Sequence, residues 1–126
     1  MTKGYSIEVE NGEKVAVTHA EADSNKWVFV CHGFGGTKDR QSEYLKLAEH
    51  GFNVVNLSFR GNGESDGEFI DQNLSSRIKD LKAVVKHFEP KETVLFGTSF
   101  GAKVALHSAE ELDADGVVVK SPVTYN

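Results

Sequence analysis

Cysteine, proline and long apolar runs are scarce in this sequence of 126 residues. The single cysteine, Cys31, excludes an internal disulfide and any metal site built from several cysteines. No apolar run approaches the roughly 20 residues that a membrane-spanning helix needs, and residues 1–5 lack the apolar segment of a signal peptide. A net charge of −5 leaves no basic excess for a nucleic-acid or anionic-membrane surface. We therefore expect a cytoplasmic protein with neither kind of partner.

What the sequence contains is typical of one soluble globular domain. Its residues are 39% hydrophobic and 26% charged, and 126 residues is an ordinary length for a single domain. No internal repeat, low-complexity tract or linker divides the chain. We therefore treat residues 1–126 as one folding unit.

Two segments near the N-terminus alternate between apolar and polar residues, at Tyr5, Ile7 and Val9 and then at Val15 and Val17. Alternation is typical of half-buried strands, and the Asn11-Gly12 pair between them suits a type I′ turn. The pattern predicts an antiparallel hairpin of residues 4–10 and 13–19.

Four later segments are continuously or almost continuously apolar, which is typical of strands covered on both faces of a parallel sheet. They are residues 27–31, 52–57, 94–96 and 117–119. Helical spacing separates them, most clearly in the stripe of Leu74, Ile78, Leu81, Val85 and Phe88. Two more helices fit residues 39–50, with Gly51 as the cap, and residues 100–112. Alternating strands and helices predict an α/β fold with a mostly parallel sheet and helices on both faces.

The segment Gly97-Thr98-Ser99-Phe100-Gly101 lies between a predicted strand and a predicted helix. A G-x-S-x-G segment in that context is typical of a nucleophile elbow, in which a sharp turn lifts the serine hydroxyl clear of the sheet. Glycine two residues before and after the serine relieves the crowding between strand and helix. The alternative interpretation is an ordinary strand-to-helix turn that happens to contain glycines.

A second glycine-rich segment, His32-Gly33-Phe34-Gly35-Gly36, follows the third predicted strand. Such a loop can turn a backbone N–H toward the serine and complete an oxyanion hole. The expected donors are the N–H groups of Phe34 and Phe100. Phosphate binding fits poorly, because Lys38 stands where a dinucleotide fingerprint needs glycine and because Thr37-Lys38-Asp39 lacks the order of a P-loop.

Together with Phe59-Arg60-Gly61-Asn62-Gly63-Glu64-Ser65-Asp66-Gly67, these two motifs resemble the N-terminal part of an α/β-hydrolase fold protein. The similarity is to serine hydrolases of the esterase, lipase and acyl-peptidase kind. It implies the strand order 1-2-4-3-5-6, no cofactor or metal, and Ser99 as the nucleophile that transfers an acyl group from a small ester, thioester or amide to water. Asn62 stands where the family usually has histidine, in a loop that is mostly structural.

The resemblance also implies that the strands carrying the acid and histidine of a catalytic triad are absent from this chain. His107 lies eight residues past Ser99, about 12 Å along a helix and beyond hydrogen-bond reach. Asp113 and Asp115 precede the sixth predicted strand, at the opposite end of the sheet. His32 is the one candidate base on the correct side, although the family uses this histidine to shape the oxyanion loop. We expect the other histidines, His19, His50 and His87, to lie on the surface.

Three interpretations of function remain open. The chain is a serine hydrolase that is incomplete without further chain, a non-catalytic binding or assembly module, or a subunit of a split enzyme. Unless the sequence is a fragment of a longer protein, the apolar strand 117–119 would expose one edge, which is a template for pairing with another chain. We expect self-association or a complementing chain at this edge.

Overall fold

Six strands form one sheet in the order β1-β2-β4-β3-β5-β6, which confirms the predicted order. The computed structural model describes residues 1–120, and residues 121–126, which the sequence analysis includes in the single domain, lie outside the described residues. The strands are β1 (Thr2–Glu10), β2 (Glu13–Ala20), β3 (Lys26–Cys31), β4 (Asn53–Leu57), β5 (Glu92–Thr98) and β6 (Gly116–Lys120). The helices are a 3-10 helix (Lys38–His50), a 3-10 turn (Phe69–Asp71), α1 (Leu74–Phe88) and α2 (Phe100–Ser108).

The hairpin and the parallel sheet form as the sequence predicts. β1 and β2 are antiparallel, and Asn11 and Gly12 between them have φ values of 51° and 80°, the positive values that a type I′ turn requires. β2 runs antiparallel to β4, whereas β4, β3, β5 and β6 are parallel to one another. The carboxyl ends of β3, β4 and β5 therefore meet at one edge of the sheet, where ligands of such folds bind.

Helices cover both faces of the sheet. α1 and α2 bury Leu81, Val85 and Val104 against the larger core cluster, which includes Phe29 and Leu57 of the sheet. The 3-10 helix packs on the opposite face against a smaller cluster formed by Ala20, Val28, Val30 and Val54. α1 begins at a capping box between Asn73 and Ser76, which fixes its first turn.

Two predicted helices differ in detail. Residues 38–50 form a 3-10 helix instead of an α-helix, and none of its residues is fully buried. Tertiary packing stabilises most α-helices in proteins, and here only partly buried side chains, of Tyr44, Leu45, Leu47 and Ala48, pack against the sheet. The regular part of α2 ends at Ser108, but residues 109–112 continue in helical turns, with Leu112 N–H donating to Ser108. A Schellman motif closes these turns after residue 112, with Ala114 N–H donating to Ala109 and Asp113 N–H donating to Glu110. Asp113 has the left-handed φ of 53° that this motif requires.

The prediction that His19 lies on the surface is wrong. His19 is 7% exposed, its Nε2 lies 2.9 Å from Asn53 Oδ1, and its ring stacks on Trp27 at 4.8 Å. The physical reason is strand alternation, because His19 points to the same face of β2 as Val15 and Val17. His50 and His87 are exposed, as predicted.

β6 is an edge strand within residues 1–120, where it pairs only with β5. Val118 and Val119 are 48% and 38% exposed, so the strand presents apolar side chains as well as unpaired backbone groups. Pairing of this edge with a second copy or a complementing chain stays a prediction. None of the described helices has the length and apolar character needed to cross a bilayer.

Candidate active site

A sharp turn joins β5 to α2 at Ser99. β5 ends at Thr98, α2 begins at Phe100, and Ser99 between them has φ 54° and ψ −124°. A non-glycine residue in so sparsely populated a conformation stores strain of about 1–3 kcal/mol, and such strain is concentrated at functional sites. The backbone of Ser99 is held on both sides, since its N–H donates to Lys120 O at 3.0 Å and its carbonyl accepts from Ala102 N–H at 3.0 Å. Ser99 as a whole is half-buried at this turn.

The glycines around Ser99 are required by backbone contacts. A Cβ at Gly97 would overlap the backbone of Gly101 and Ala102, and a Cβ at Gly101 would overlap the carbonyl of Cys31. A Cβ at Gly33 would lie 2.9 Å from Ser99 Cβ. The predicted supporting glycines therefore bring β5, α2 and the end of β3 into direct contact around the serine.

We call residues 32–37, which follow β3, the β3 loop. Gly36 N–H donates to Gly33 O at 3.1 Å, which closes a turn in which Gly35 has the left-handed φ of 68°. A Cβ at Gly36 would lie 2.9 Å from His32 Cβ, so this glycine permits the loop to fold back on itself. Phe34, at the tip of the turn, is 55% exposed.

His32 has both ring nitrogens engaged with the backbone. Phe59 N–H donates to His32 Nε2 at 3.0 Å, so Nδ1 carries the proton and donates to Gly33 O at 2.6 Å. The ring is 1% exposed, and burial lowers the pKa of His32 to about 4. This neutral, doubly bonded imidazole supports the β3 loop and has no free nitrogen with which to accept a proton from Ser99.

Phe34 and Phe100, the two predicted amide donors, are in contact through their side chains. Their rings stack with centroids 4.3 Å apart and planes 20° apart. The stack connects the tip of the β3 loop to the first residue of α2, which directly follows Ser99. The assignment of their N–H groups to an oxyanion hole stays a prediction.

The loop after β4, residues 58–67, is fixed by a buried arginine, and we call it the β4 loop. Arg60 is 3% exposed, and its Nε donates to Asp80 Oδ1 at 2.7 Å while its backbone N–H donates to Asp80 Oδ2 at 2.9 Å. Nη1 also reaches Glu10 and Glu13, at 3.2 and 3.0 Å. Burial acts to lower the pKa of Arg60, but these carboxylates outweigh it and hold the pKa above its usual value. Burial raises the pKa of Asp80, against the opposing effect of Arg60.

Two further residues of the β4 loop are hydrogen-bonded to β2. Ser65 Oγ accepts from Ala16 N–H at 2.8 Å and donates to Ser58 O at 2.6 Å. Asp66 Oδ2 accepts from Lys14 N–H at 2.8 Å. Asn62, at the position where the family usually has histidine, is 6% exposed within this loop. The β4 loop is therefore a structural element beside the site.

The remaining candidates lie away from Ser99 or are engaged elsewhere. His107 is exposed on α2. Asp115 immediately precedes β6, at the opposite end of the sheet from Ser99, where its Oδ2 accepts from Thr93 N–H at 2.7 Å. Cys31 is fully buried, and burial raises the pKa of its thiol to about 12. Within residues 1–120 no cluster of His, Cys, Asp and Glu could hold a metal ion.

Two buried charged residues next to the site were not identified from the sequence. Arg77 and Asp80 are 1% and 0% exposed on α1. Both interrupt the apolar stripe of that helix, since Arg77 lies three residues after Leu74 and Asp80 immediately precedes Leu81. A charged residue within a buried stripe was the signal that could have found them.

Comparison with known proteins agrees with this architecture. Residues 22–125 match the family described as serine aminopeptidase, S33. The chain belongs to this hydrolase family. Its fold is therefore the α/β-hydrolase fold, as the sequence motifs predicted.

Solved structures and a curated relative extend the comparison. The esterase Pf2001 of Pyrococcus furiosus superimposes with a TM-score of 0.87 at 27% identity, covering 99% of this chain and 51% of that protein. Est1E of Butyrivibrio proteoclasticus, solved with ferulic acid bound, has a TM-score of 0.83 at 23% identity, covering 94% and 52%. The lysophosphatidylserine lipase ABHD12 of Danio rerio is 25% identical, covering 98% of this chain and 40% of that protein. The chain thus spans about half the length of the proteins that it matches.

Proposed function

We propose that this chain supplies the nucleophile and the oxyanion hole of a serine hydrolase that transfers an acyl group to water. The observation that carries the proposal is the strained turn at Ser99, with φ 54° and ψ −124°, formed where β5 enters α2. A tight turn with no room for side chains at Gly97 and Gly101 is what an exposed serine nucleophile requires. The substrate class is an ester, thioester or amide, and the esterase and lipase among the similar proteins favour an ester.

The reaction would proceed through an acyl-enzyme. Ser99 Oγ attacks the carbonyl carbon while its proton passes to a general base, and the oxygen of the tetrahedral intermediate accepts from the N–H groups of Phe34 and Phe100. Collapse of the intermediate expels the alcohol, thiol or amine, which takes up that proton. Water then attacks the acyl carbon and releases the acid and Ser99. The N-terminus of α2, which begins at Phe100, carries the positive end of the helix dipole and would stabilise the negative charge on that oxygen.

The general base and its acid must come from outside the described residues. His32, which begins the β3 loop, has both nitrogens engaged and a pKa lowered to about 4. We therefore expect the chain alone to react slowly, with residual catalysis from the oxyanion hole and substrate binding. The same observation favours two alternatives. One is a non-catalytic binding or assembly module, and the other is a subunit of a split enzyme that obtains its base from another chain.

Labelling by a fluorophosphonate probe tests the first function. We expect slow covalent labelling of the wild-type chain and no labelling of Ser99→Ala, with faster labelling when a segment carrying the rest of the fold is added. Ser75→Ala, which changes an exposed serine on α1, is the matched control and should label at the wild-type rate.

Equal labelling of Ser99→Ala and wild type would exclude Ser99 as the nucleophile. Hydrolysis of p-nitrophenyl acetate separates the two functions, because a non-catalytic module would turn it over no faster than Ser99→Ala does.

A further inference from the structure

One arginine and three phenylalanine rings form a cluster beside Ser99. The guanidinium carbon of Arg77 lies 5.1, 5.8 and 5.5 Å from the ring centroids of Phe34, Phe69 and Phe100. Phe34 also meets Phe69 edge-on at 6.1 Å and stacks on Phe100 at 4.3 Å. We call these four residues the arginine–aromatic cluster.

Arg77 is buried without a carboxylate of its own. It is 1% exposed, its Nη1 donates to Asn73 O at 3.4 Å, and its Nη2 has no hydrogen-bond partner among residues 1–120. The nearest acid on the same helix, Asp80, is bonded to Arg60 through both carboxylate oxygens. The faces of the three rings are therefore the principal neighbours of this cation, and such contacts are strongest where water is excluded.

Two of the three rings that Arg77 contacts, those of Phe34 and Phe100, belong to the residues whose N–H groups are proposed to hold the oxyanion. Phe100 is fixed by α2, but Phe34 sits at the tip of a loop with glycine on both sides. Its ring is 55% exposed, so packing against Phe100, Phe69 and Arg77 is what restrains it. The position of the Phe34 N–H relative to the Phe100 N–H then depends on the cluster.

The charge of Arg77 acts on the site as well. It is close enough to His32 to contribute to the lowered pKa of that ring, after the larger effect of burial. A buried cation that disfavours a second positive charge also favours a negative one nearby.

We propose that Arg77 is a positioning residue for the oxyanion hole, holding the Phe34 ring against Phe100 and thereby fixing the Phe34 N–H. The role of that N–H in the oxyanion hole rests on the proposed function, but the position of the Phe34 N–H can be measured without any reaction. Arg77 touches no reacting atom.

NMR relaxation of the backbone amides tests the positioning without any reaction. In Arg77→Met we expect the order parameters of Phe34, Gly35 and Gly36 to fall below about 0.6, from about 0.85 for rigid backbone. Arg77→Lys, which keeps the charge but not the planar guanidinium, should restore part of the order. Lys79→Met, on the exposed face of the same helix, should leave the loop unchanged. Unchanged order in Arg77→Met overturns the inference.

The labelling rate of Ser99 provides the functional measurement. We expect Arg77→Met to lower the maximal rate of labelling about tenfold with little change in the probe concentration for half-maximal rate, because a misplaced oxyanion donor affects the transition state and not binding. A disordered loop with an unchanged maximal rate would also overturn the inference. Absence of labelling in the wild type, in contrast, rejects the proposed function, and the order parameters still decide the positioning. If Arg77→Met does not fold, Phe34→Leu removes the same contact from the exposed side and must give the same loss of order.

Discussion

The two loops that follow the neighbouring strands β3 and β4 are both rich in glycine but are stabilised in different ways. The β4 loop is held by polar contacts to distant elements, through Arg60 to Asp80 and through Ser65 to Ala16. The β3 loop has one internal turn, the bonds of His32, and a phenylalanine that is half exposed. The loop closest to Ser99 is therefore the less firmly held of the two.

The difference between the two loops fits different roles, stability for the β4 loop and reactivity for the β3 loop. A buried ion pair with several hydrogen bonds fixes one backbone conformation, which suits a loop that braces β2 against β4. A loop that must present a free N–H to a substrate cannot use that N–H for its own stability, so its restraint comes from side-chain packing. The comparison predicts that changes in the β4 loop act on stability, whereas changes in the β3 loop act on reactivity.

The largest effect on stability should come from Arg60→Met. This change leaves the buried carboxylate of Asp80 without its charged partner, and breaking such a pair costs about 3–5 kcal/mol. Urea unfolding followed by fluorescence measures it. The matched change is Lys38→Met, in the first turn after the β3 loop. It removes ion pairs with the exposed acids Asp39 and Glu64 and should lower the free energy of unfolding by less than about 1 kcal/mol. Similar losses of unfolding free energy in the two variants would contradict the claim that the β4 loop is the more firmly held.

Much of the fold could be predicted because its signals are local. The turn at Asn11-Gly12, the apolar strands and the stripe of α1 depend on neighbouring residues, and the elbow at Ser99 lies within five residues. The strand order came from the resemblance to a family. The pairing of Arg60 with Asp80 depends on residues 20 apart that only the folded chain brings together, so its partners could not be deduced.

Other features were missed although a signal was present. Arg77 lies within the buried stripe of α1, but only the apolar residues of that stripe were considered. His19 continues the alternation of Val15 and Val17, yet its position at the end of the predicted strand suggested the surface. In both, the folded structure provides what a buried polar group needs, a hydrogen-bond partner for His19 and aromatic faces for Arg77.

A pair of glycine substitutions gives the next effect in size. Gly35 and Gly61 both have left-handed φ values, of 68° and 80°. A Cβ at Gly35 meets nothing within 4 Å, so Gly35→Ala should cost only the backbone strain of about 1–2 kcal/mol. A Cβ at Gly61 would lie 2.7 Å from the Cα of Phe69, which adds about 1–3 kcal/mol of overpacking. Equal losses in unfolding free energy would show that the β4 loop is no more tightly packed than the β3 loop.

The last prediction concerns the dependence of stability on pH and involves His32, whose Nε2 accepts from Phe59 N–H and so joins the two loops. Its pKa of about 4 in the folded protein lies below the ordinary value of 6.5, so between these values the unfolded chain binds a proton that the folded chain does not. The contribution of His32 is therefore complete above pH 6.5 and is lost as the pH falls toward 4, by roughly 3 kcal/mol at most.

His32→Gln should flatten the dependence of unfolding free energy on pH between 7 and 4, because the titrating group is removed. His107→Gln, at an exposed position on α2, should leave that dependence unchanged. The measurement is urea unfolding at several pH values. If the unfolding free energy of His32→Gln depends on pH as steeply as that of the wild type, the imidazole is not held neutral between the two loops. The hydrogen bond from Phe59 N–H to His32 Nε2 would then not restrain the β3 loop.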